Sequence, residues 1–126
     1  MKKLLIALLL LAPLPVQAQD VSLGVNPCTS ALVASCILKA AGGQLFSLNA
    51  FATAASYIMI VDSATVPSPG TVMPVKTFAL AINTSVLASW IPGAIIFTNG
   101  ITVLCSSAVP PTYTAATTCL LSGETR

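Results

Sequence analysis

The sequence predicts an all-β protein: an antiparallel β-sandwich of about seven short strands, either immunoglobulin-like or jelly-roll. Short apolar or alternating segments recur along the chain, and turn-forming Gly, Pro and Asn residues separate them. After residue 18, no segment has the apolar spacing of an amphipathic helix. Without helices to connect parallel neighbours, the strands are expected to pair antiparallel.

The first 18 residues have the layout of a secretory signal peptide. Lys2 and Lys3 precede an apolar run over residues 4–12, and the small residues Val16 and Ala18 form a cleavage motif. The run has nine residues, whereas a bilayer-spanning helix needs roughly 20. We therefore expect cleavage after Ala18, no membrane attachment of the mature protein, and a secreted or periplasmic location. The chain then divides into a signal peptide (1–18), an N-terminal lead-in (19–34) and one β-sandwich domain (35–126).

The mature chain is expected to carry no net charge, because cleavage removes Lys2 and Lys3 and leaves three basic and three acidic residues. A neutral surface has no basic patch to neutralise phosphate, which argues against nucleic acid and anionic lipid as main partners. Ser and Thr supply most of the polarity, and few charges oppose close packing of copies. We expect self-association or association with other structural proteins.

Four cysteines, Cys28, Cys36, Cys105 and Cys119, predict two disulfides in an oxidising compartment. Four cysteines allow three pairings, and the sequence does not choose among them. A zinc site is disfavoured because the chain lacks a Cys-x-x-Cys element and any His. Neither a metal nor another cofactor is expected.

The segment over residues 28–41 is ambiguous. Asn26 as N-cap, Pro27 at the first helical position and a glycine pair at 42–43 would frame a helix. The apolar residues form no helical stripe, however, and eight helical residues would hold Cys28 and Cys36 about 12 Å apart, too far for a bridge. The preferred interpretation is a strand over residues 35–40, followed by a hairpin turn at residues 42–43.

The strand over residues 44–51 alternates, with Phe46 and Leu48 as core candidates. The strand over residues 57–61 contains β-branched and aromatic residues in succession, which predicts a central strand buried on both faces. Asp62 ends this strand and is expected to accept backbone N–H groups at the transition into a proline-rich loop. Gly70 is a candidate turn residue in that loop.

The remaining segments also read as strands and turns. Residues 75–82 alternate, Asn83-Thr84 predicts a turn, and residues 86–90 place Val86, Ala88 and Trp90 on one side. Gly100, with Asn99, marks either a hairpin turn or a bulge inside one long strand over residues 95–105; the bulge is preferred. A final strand is predicted over residues 113–122.

The residues offer little for catalysis. The chain has no His, and Asp62 is the one carboxylate far from the termini, so neither acid–base catalysis nor a paired-carboxylate site is indicated. We expect a protein that is not an enzyme. Trp90 suggests an apolar platform for a sugar ring, but core packing or a position at a sheet edge is favoured over that interpretation. A carbohydrate partner has no further support in the sequence.

Four segments, beginning at Leu38, Ser56, Ile95 and Thr112, read LKAAGGQLFSLNAF, SYIMIVDSATVPSPGTVMP, IIFTNGITVLCSS and TYTAATTCLLSGE. Their order resembles that of small, mostly uncharacterised β-sandwich proteins encoded in bacteriophage genomes and environmental viral sequences. The resemblance implies an accessory virion protein that decorates a head or tail. The signal peptide departs from that pattern, since virion proteins normally assemble in the cytoplasm. A secreted bacterial surface or matrix protein, or a carbohydrate-binding module, is therefore the alternative.

Overall fold

The structure is a computed structural model that describes residues 24–28 and 31–126. The predicted signal peptide and the start of the lead-in lie outside the described residues. The described part of the chain forms strands and no helix, and every strand pair is antiparallel, which confirms the all-β antiparallel fold class. The strands are β1 (Gly24–Pro27), β2 (Ser35–Lys39), β3 (Gly43–Ala52), β4 (Ser56–Asp62), β5 (Gly70–Thr71), β6 (Pro74–Leu80), β7 (Thr84–Ser89), β8 (Ile95–Phe97), β9 (Ile101–Ser106), β10 (Thr112–Tyr113) and β11 (Cys119–Thr125).

Two large sheets form the sandwich. Sheet A has the order β1-β11-β3-β7, with β8 paired to β3 beyond the end of β7, and sheet B has the order β2-β9-β4-β6. Side chains from both sheets join in one buried cluster, which includes Leu48 and Ala50 from β3 and Ile58 and Ile60 from β4. Burial of this apolar surface between the two sheets is the main stabilising contribution to the fold.

A small sheet C, formed by β5 and β10, covers the outer face of sheet B. Met59 and Val61 of β4 point away from the main cluster and pack against Val72 and Tyr113. The prediction that this strand is buried on both faces is confirmed, because Ile58, Met59 and Ile60 have no exposed surface. Its uninterrupted apolar sequence follows from having the main core on one side and sheet C on the other.

The expected core of β3 is wrong in one detail. Leu48 is buried as predicted, but Leu45 is fully buried in place of Phe46, which is half-buried. The register with β11 pairs Ser47 with Glu124 and Leu45 with Thr125, so Phe46 is an extra residue on β3. An extra residue of this kind is a β-bulge, and it shifts the alternation of side chains by one position.

Two predicted turns are crossings between sheets. Residues 40–42 connect β2 in sheet B with β3 in sheet A, and Gly43 is the first residue of β3. The two strands do not pair, so the hairpin prediction is wrong. Asn99 and Gly100 connect β8 in sheet A with β9 in sheet B, so they form neither the preferred bulge nor a hairpin. Gly42, Asn99 and Gly100 do lie between strands, but the partner of each strand is set by packing between sheets.

The two ends of the domain also differ from expectation. The final segment is two strands, since β10 belongs to sheet C and β11 to sheet A. The sandwich is predicted to begin at residue 35, yet residues 24–27 of the lead-in form β1 and extend sheet A beside β11. The ambiguous segment is not a helix, because β2 runs through it.

Both pairs of cysteines are bridged, Cys28 with Cys36 and Cys105 with Cys119, at Cα–Cα distances of 5.6 and 6.1 Å. Cys28 follows β1 in sheet A and Cys36 lies on β2 in sheet B; Cys105 lies on β9 in sheet B and Cys119 on β11 in sheet A. Each disulfide therefore connects the two halves of the sandwich. Disulfides of this kind indicate an oxidising environment, extracellular or periplasmic.

Candidate functional site

Asp62 lies at the carboxyl end of β4 and holds the crossing between β8 and β9. Its Oδ2 accepts a hydrogen bond from the backbone N–H of Thr98 at 3.1 Å, and its Oδ1 accepts from Asn99 at 2.7 Å and from Gly100 at 3.2 Å. One carboxylate thus satisfies three successive backbone donors in a turn that is 36 to 38 residues away in sequence. We call this arrangement the Asp62 clamp.

These hydrogen bonds favour the ionised carboxylate. The N–H groups of Asn99 and Thr98 lower the pKa of Asp62 below its ordinary value, and the Gly100 N–H acts in the same direction. Desolvation opposes them but does not outweigh them. A general base or acid for reactions near neutral pH needs a pKa close to 7, so the shift at Asp62 is in the wrong direction for that role.

The backbone around the clamp is closely packed. The Ser63 N–H donates to the Gly100 carbonyl at 3.1 Å, and the Thr102 hydroxyl donates to the Ser63 carbonyl at 2.7 Å. A Cβ on Gly100 would lie 2.6 Å from the Cα of Ala64 and 2.7 Å from the Ser63 oxygen. Gly100 is therefore required by close approach of two backbone segments, which explains its position in the crossing.

An open depression of about 380 Å³ adjoins the clamp. Asp62 and Thr71 contribute polar groups at its border, and Val61, Val72 and Met73 contribute apolar surface. The Asp62 carboxylate already accepts three hydrogen bonds from the turn between β8 and β9. The depression thus combines apolar lining residues with a carboxylate whose hydrogen bonds hold the turn, which favours a structural role for this region.

The other single residues singled out by the sequence are placed as follows. Gly70 begins β5 with φ of 135°, a conformation that L side chains rarely adopt. Trp90 follows β7, is half-buried and packs against the main core, and its backbone N–H donates to the Phe46 carbonyl at 2.8 Å. An indole that packs on the core offers less of its face to a sugar ring than an exposed one.

Ser106 is a buried polar residue that sequence reasoning did not identify. Its hydroxyl accepts hydrogen bonds from the N–H groups of Ala108 and Thr114, at 3.1 and 3.0 Å, and fixes the loop between β9 and β10. The bond to the residue two positions later is a common turn motif of Ser and Thr. The position of Ser106 before a proline-containing loop is a sequence signal for a local turn bond, but it does not predict the contact with Thr114.

Four of the ten exposed large apolar side chains in the described residues lie on or beside β7 and β8, at one edge of sheet A. Ile82 precedes β7, Leu87 lies on it, Ile91 follows it, and Ile96 lies on β8; their exposed fractions are 62, 74, 56 and 75%. We call this the β7 edge surface. No charged residue occurs between positions 77 and 123, so β7 and β8 lie within an uncharged part of the chain. Exposed apolar surface without charge is typical of interaction sites.

The described part of the chain offers no candidate metal site and no helix that could span a membrane. Within residues 24–28 and 31–126, no group of three or more His, Cys, Asp or Glu residues could hold a metal ion. In the same residues, no helix is long and apolar enough to cross a membrane. No protein family, no curated protein and no solved structure matches the chain.

Proposed function

We propose that this protein is a non-enzymatic structural or interaction protein that associates with copies of itself or with other structural proteins outside the cytoplasm. The observation that supports this most directly is the β7 edge surface, where four large apolar side chains are exposed in an uncharged part of the chain. Exposed apolar area drives association, and few charges are present to keep copies apart. The Asp62 clamp and the disulfides provide a rigid scaffold for such a surface.

Light scattering over a concentration series, at low and at high salt, tests the proposal on the mature protein. We expect the mean mass to rise with concentration at both salt levels, because apolar contacts are not screened by ions. A strict monomer at high micromolar concentration under both conditions would contradict self-association. A monomeric binding module would then be the better description.

The place of the protein in a biological assembly is a further part of the proposal. A role as an accessory virion component, decorating a phage head or tail, rests on the sequence resemblance. A secreted bacterial surface or matrix protein is favoured by the two disulfides, since the cytoplasm in which virions assemble is reducing. Capsid, portal or tail genes beside this gene would support the first role, and secretion or polysaccharide genes would support the second.

A further inference from the structure

The backbone of β7 has one edge that faces away from β3. The Trp90 N–H donates to the Phe46 carbonyl of β3, and successive residues of an antiparallel strand direct their backbone groups to opposite sides. Val86 and Ala88 therefore direct theirs towards β3, and Ser85, Leu87 and Ser89 direct theirs outward. No strand in the described residues pairs with this outer side of β7. An open row of donors and acceptors of this kind can accept another strand.

The other edge strands of the described sheets carry features that discourage strand addition. β6 begins at Pro74, contains Lys76 and has a register shift against β4. β2 ends in Lys39 and also has a register shift, while β1 is short and ends in Pro27, and β8 has three residues. β7 contains no proline and no charge, and its six pairs with β3 are regular. Among the edge strands of sheets A and B, β7 is therefore the one that carries none of these features.

We propose that two copies of the chain pair antiparallel through β7, so that their A sheets become one continuous sheet. This inference rests on the proposed self-association and names its interface. A second copy fits the edge because β7 is complementary to itself. A two-fold axis at Leu87 pairs Leu87 with its counterpart and Ser85 with the Ser89 of the other copy, and these residues have the outward-directed backbone groups.

The side chains in this register are compatible. The two Leu87 side chains, each 74% exposed in the single chain, meet on the outer face of sheet A. Val86 lies opposite Ala88 of the other copy on the inner side. No like charges oppose each other, since β7 has none. Cross-strand apolar pairs and regular backbone hydrogen bonds would together hold the dimer.

The test compares Leu87→Lys with Ile96→Lys in the mature protein. Leu87→Lys places two ammonium groups opposite each other at the axis, and we expect the dimer dissociation constant from analytical ultracentrifugation to rise about tenfold or more. Ile96→Lys removes an equally exposed apolar side chain of the β7 edge surface from β8, outside the paired strand, and is expected to weaken association clearly less than Leu87→Lys. Circular dichroism checks that both variants keep their strand content.

A cross-linking experiment covers the case in which Leu87→Lys fails to fold. Because both native cysteine pairs are bridged, Leu87→Cys adds a single thiol, and directly opposite residues in an antiparallel pair have Cα atoms about 5.5 Å apart, within disulfide range. We expect Leu87→Cys to form a covalent dimer on mild oxidation and Ile96→Cys to stay monomeric.

The outcomes separate the two proposals. If Ile96→Lys weakens association as much as Leu87→Lys, or if both leave it intact, β7 pairing is wrong while self-association stands. A covalent dimer that forms equally with Ile96→Cys would also overturn the pairing. If the wild-type protein is monomeric at every concentration, self-association and the β7 pairing both fail, and the edge would be open to a strand of another protein.

Discussion

At the scale of single residues, Asp62 contributes through its charge, because three backbone N–H groups converge on its carboxylate. Asp62→Asn keeps the shape but replaces one acceptor oxygen with an NH₂ group, which leaves at least one of these N–H groups facing a donor. We expect a lower Tm at pH 7. Glu124→Gln on β11 is the control for loss of a negative charge, because Glu124 takes no part in the clamp. We expect it to lower the Tm less than Asp62→Asn does.

The pH dependence of stability distinguishes this role from simple packing. Because the folded pKa of Asp62 is lowered, the stability it supplies is fully present above the unfolded value of about 4 and is lost as the pH falls through the folded pKa. The gap in Tm between wild type and Asp62→Asn should therefore narrow below about pH 4. A gap that stays constant down to strongly acidic pH would show that the charge is not involved.

At the scale of elements, the crossing from β8 to β9 depends on the absence of a side chain at Gly100. A Cβ there meets backbone atoms of Ser63 and Ala64, which cannot move aside as a flexible side chain would. We expect Gly100→Ala to lower the free energy of unfolding by about 1–3 kcal/mol, the usual range for overpacking. Urea unfolding measures this. Gly93→Ala is the matched control, since its Cβ would lie 3.2 Å from the Trp90 oxygen and needs only a small adjustment; equal losses would contradict the steric argument.

The elements also show what the sequence could and could not predict. Apolar continuity in β4 was sufficient to predict a strand buried on both faces, since that pattern depends on local composition. The prediction that Phe46 is a core residue is wrong because of the bulge at this position. A bulge depends on the register between β3 and β11, and the local sequence carries no signal for that register. Asn99 and Gly100 were recognised as turn residues, but whether a turn joins paired strands or different sheets is decided by packing.

The same distinction applies to the site. Asp62 was expected to accept backbone N–H groups because it follows a strand and precedes a loop, and the structure shows it doing so. Its donors come from Thr98 to Gly100, more than 30 residues later, and no local rule identifies them. The β7 edge surface was missed as well, because exposure of Leu87 and Ile96 follows from which strands lie at the edges of the sheet.

At the scale of the whole molecule, two disulfides join sheet A to sheet B in different surroundings. Cys105 and Cys119 have no exposed surface and belong to the main cluster, while Cys28 is half-buried. The bridges close loops with sequence separations of 14 and 8. Since loop-closure entropy changes slowly with length, chain entropy alone predicts similar contributions of about 3 kcal/mol each.

Burial should make the two bridges unequal. Cys105→Ala with Cys119→Ala removes the bridge and also leaves a cavity in the core, so we expect it to cost more than the entropic value of about 3 kcal/mol. Cys28→Ala with Cys36→Ala should cost about that value or less. Urea unfolding without reductant, at a concentration low enough to prevent association, gives both free energies. Native protein should also resist alkylation until it is reduced. Equal costs for the two double variants would show that chain entropy alone governs both bridges and that the core around Cys105 and Cys119 closes over the lost sulfur atoms.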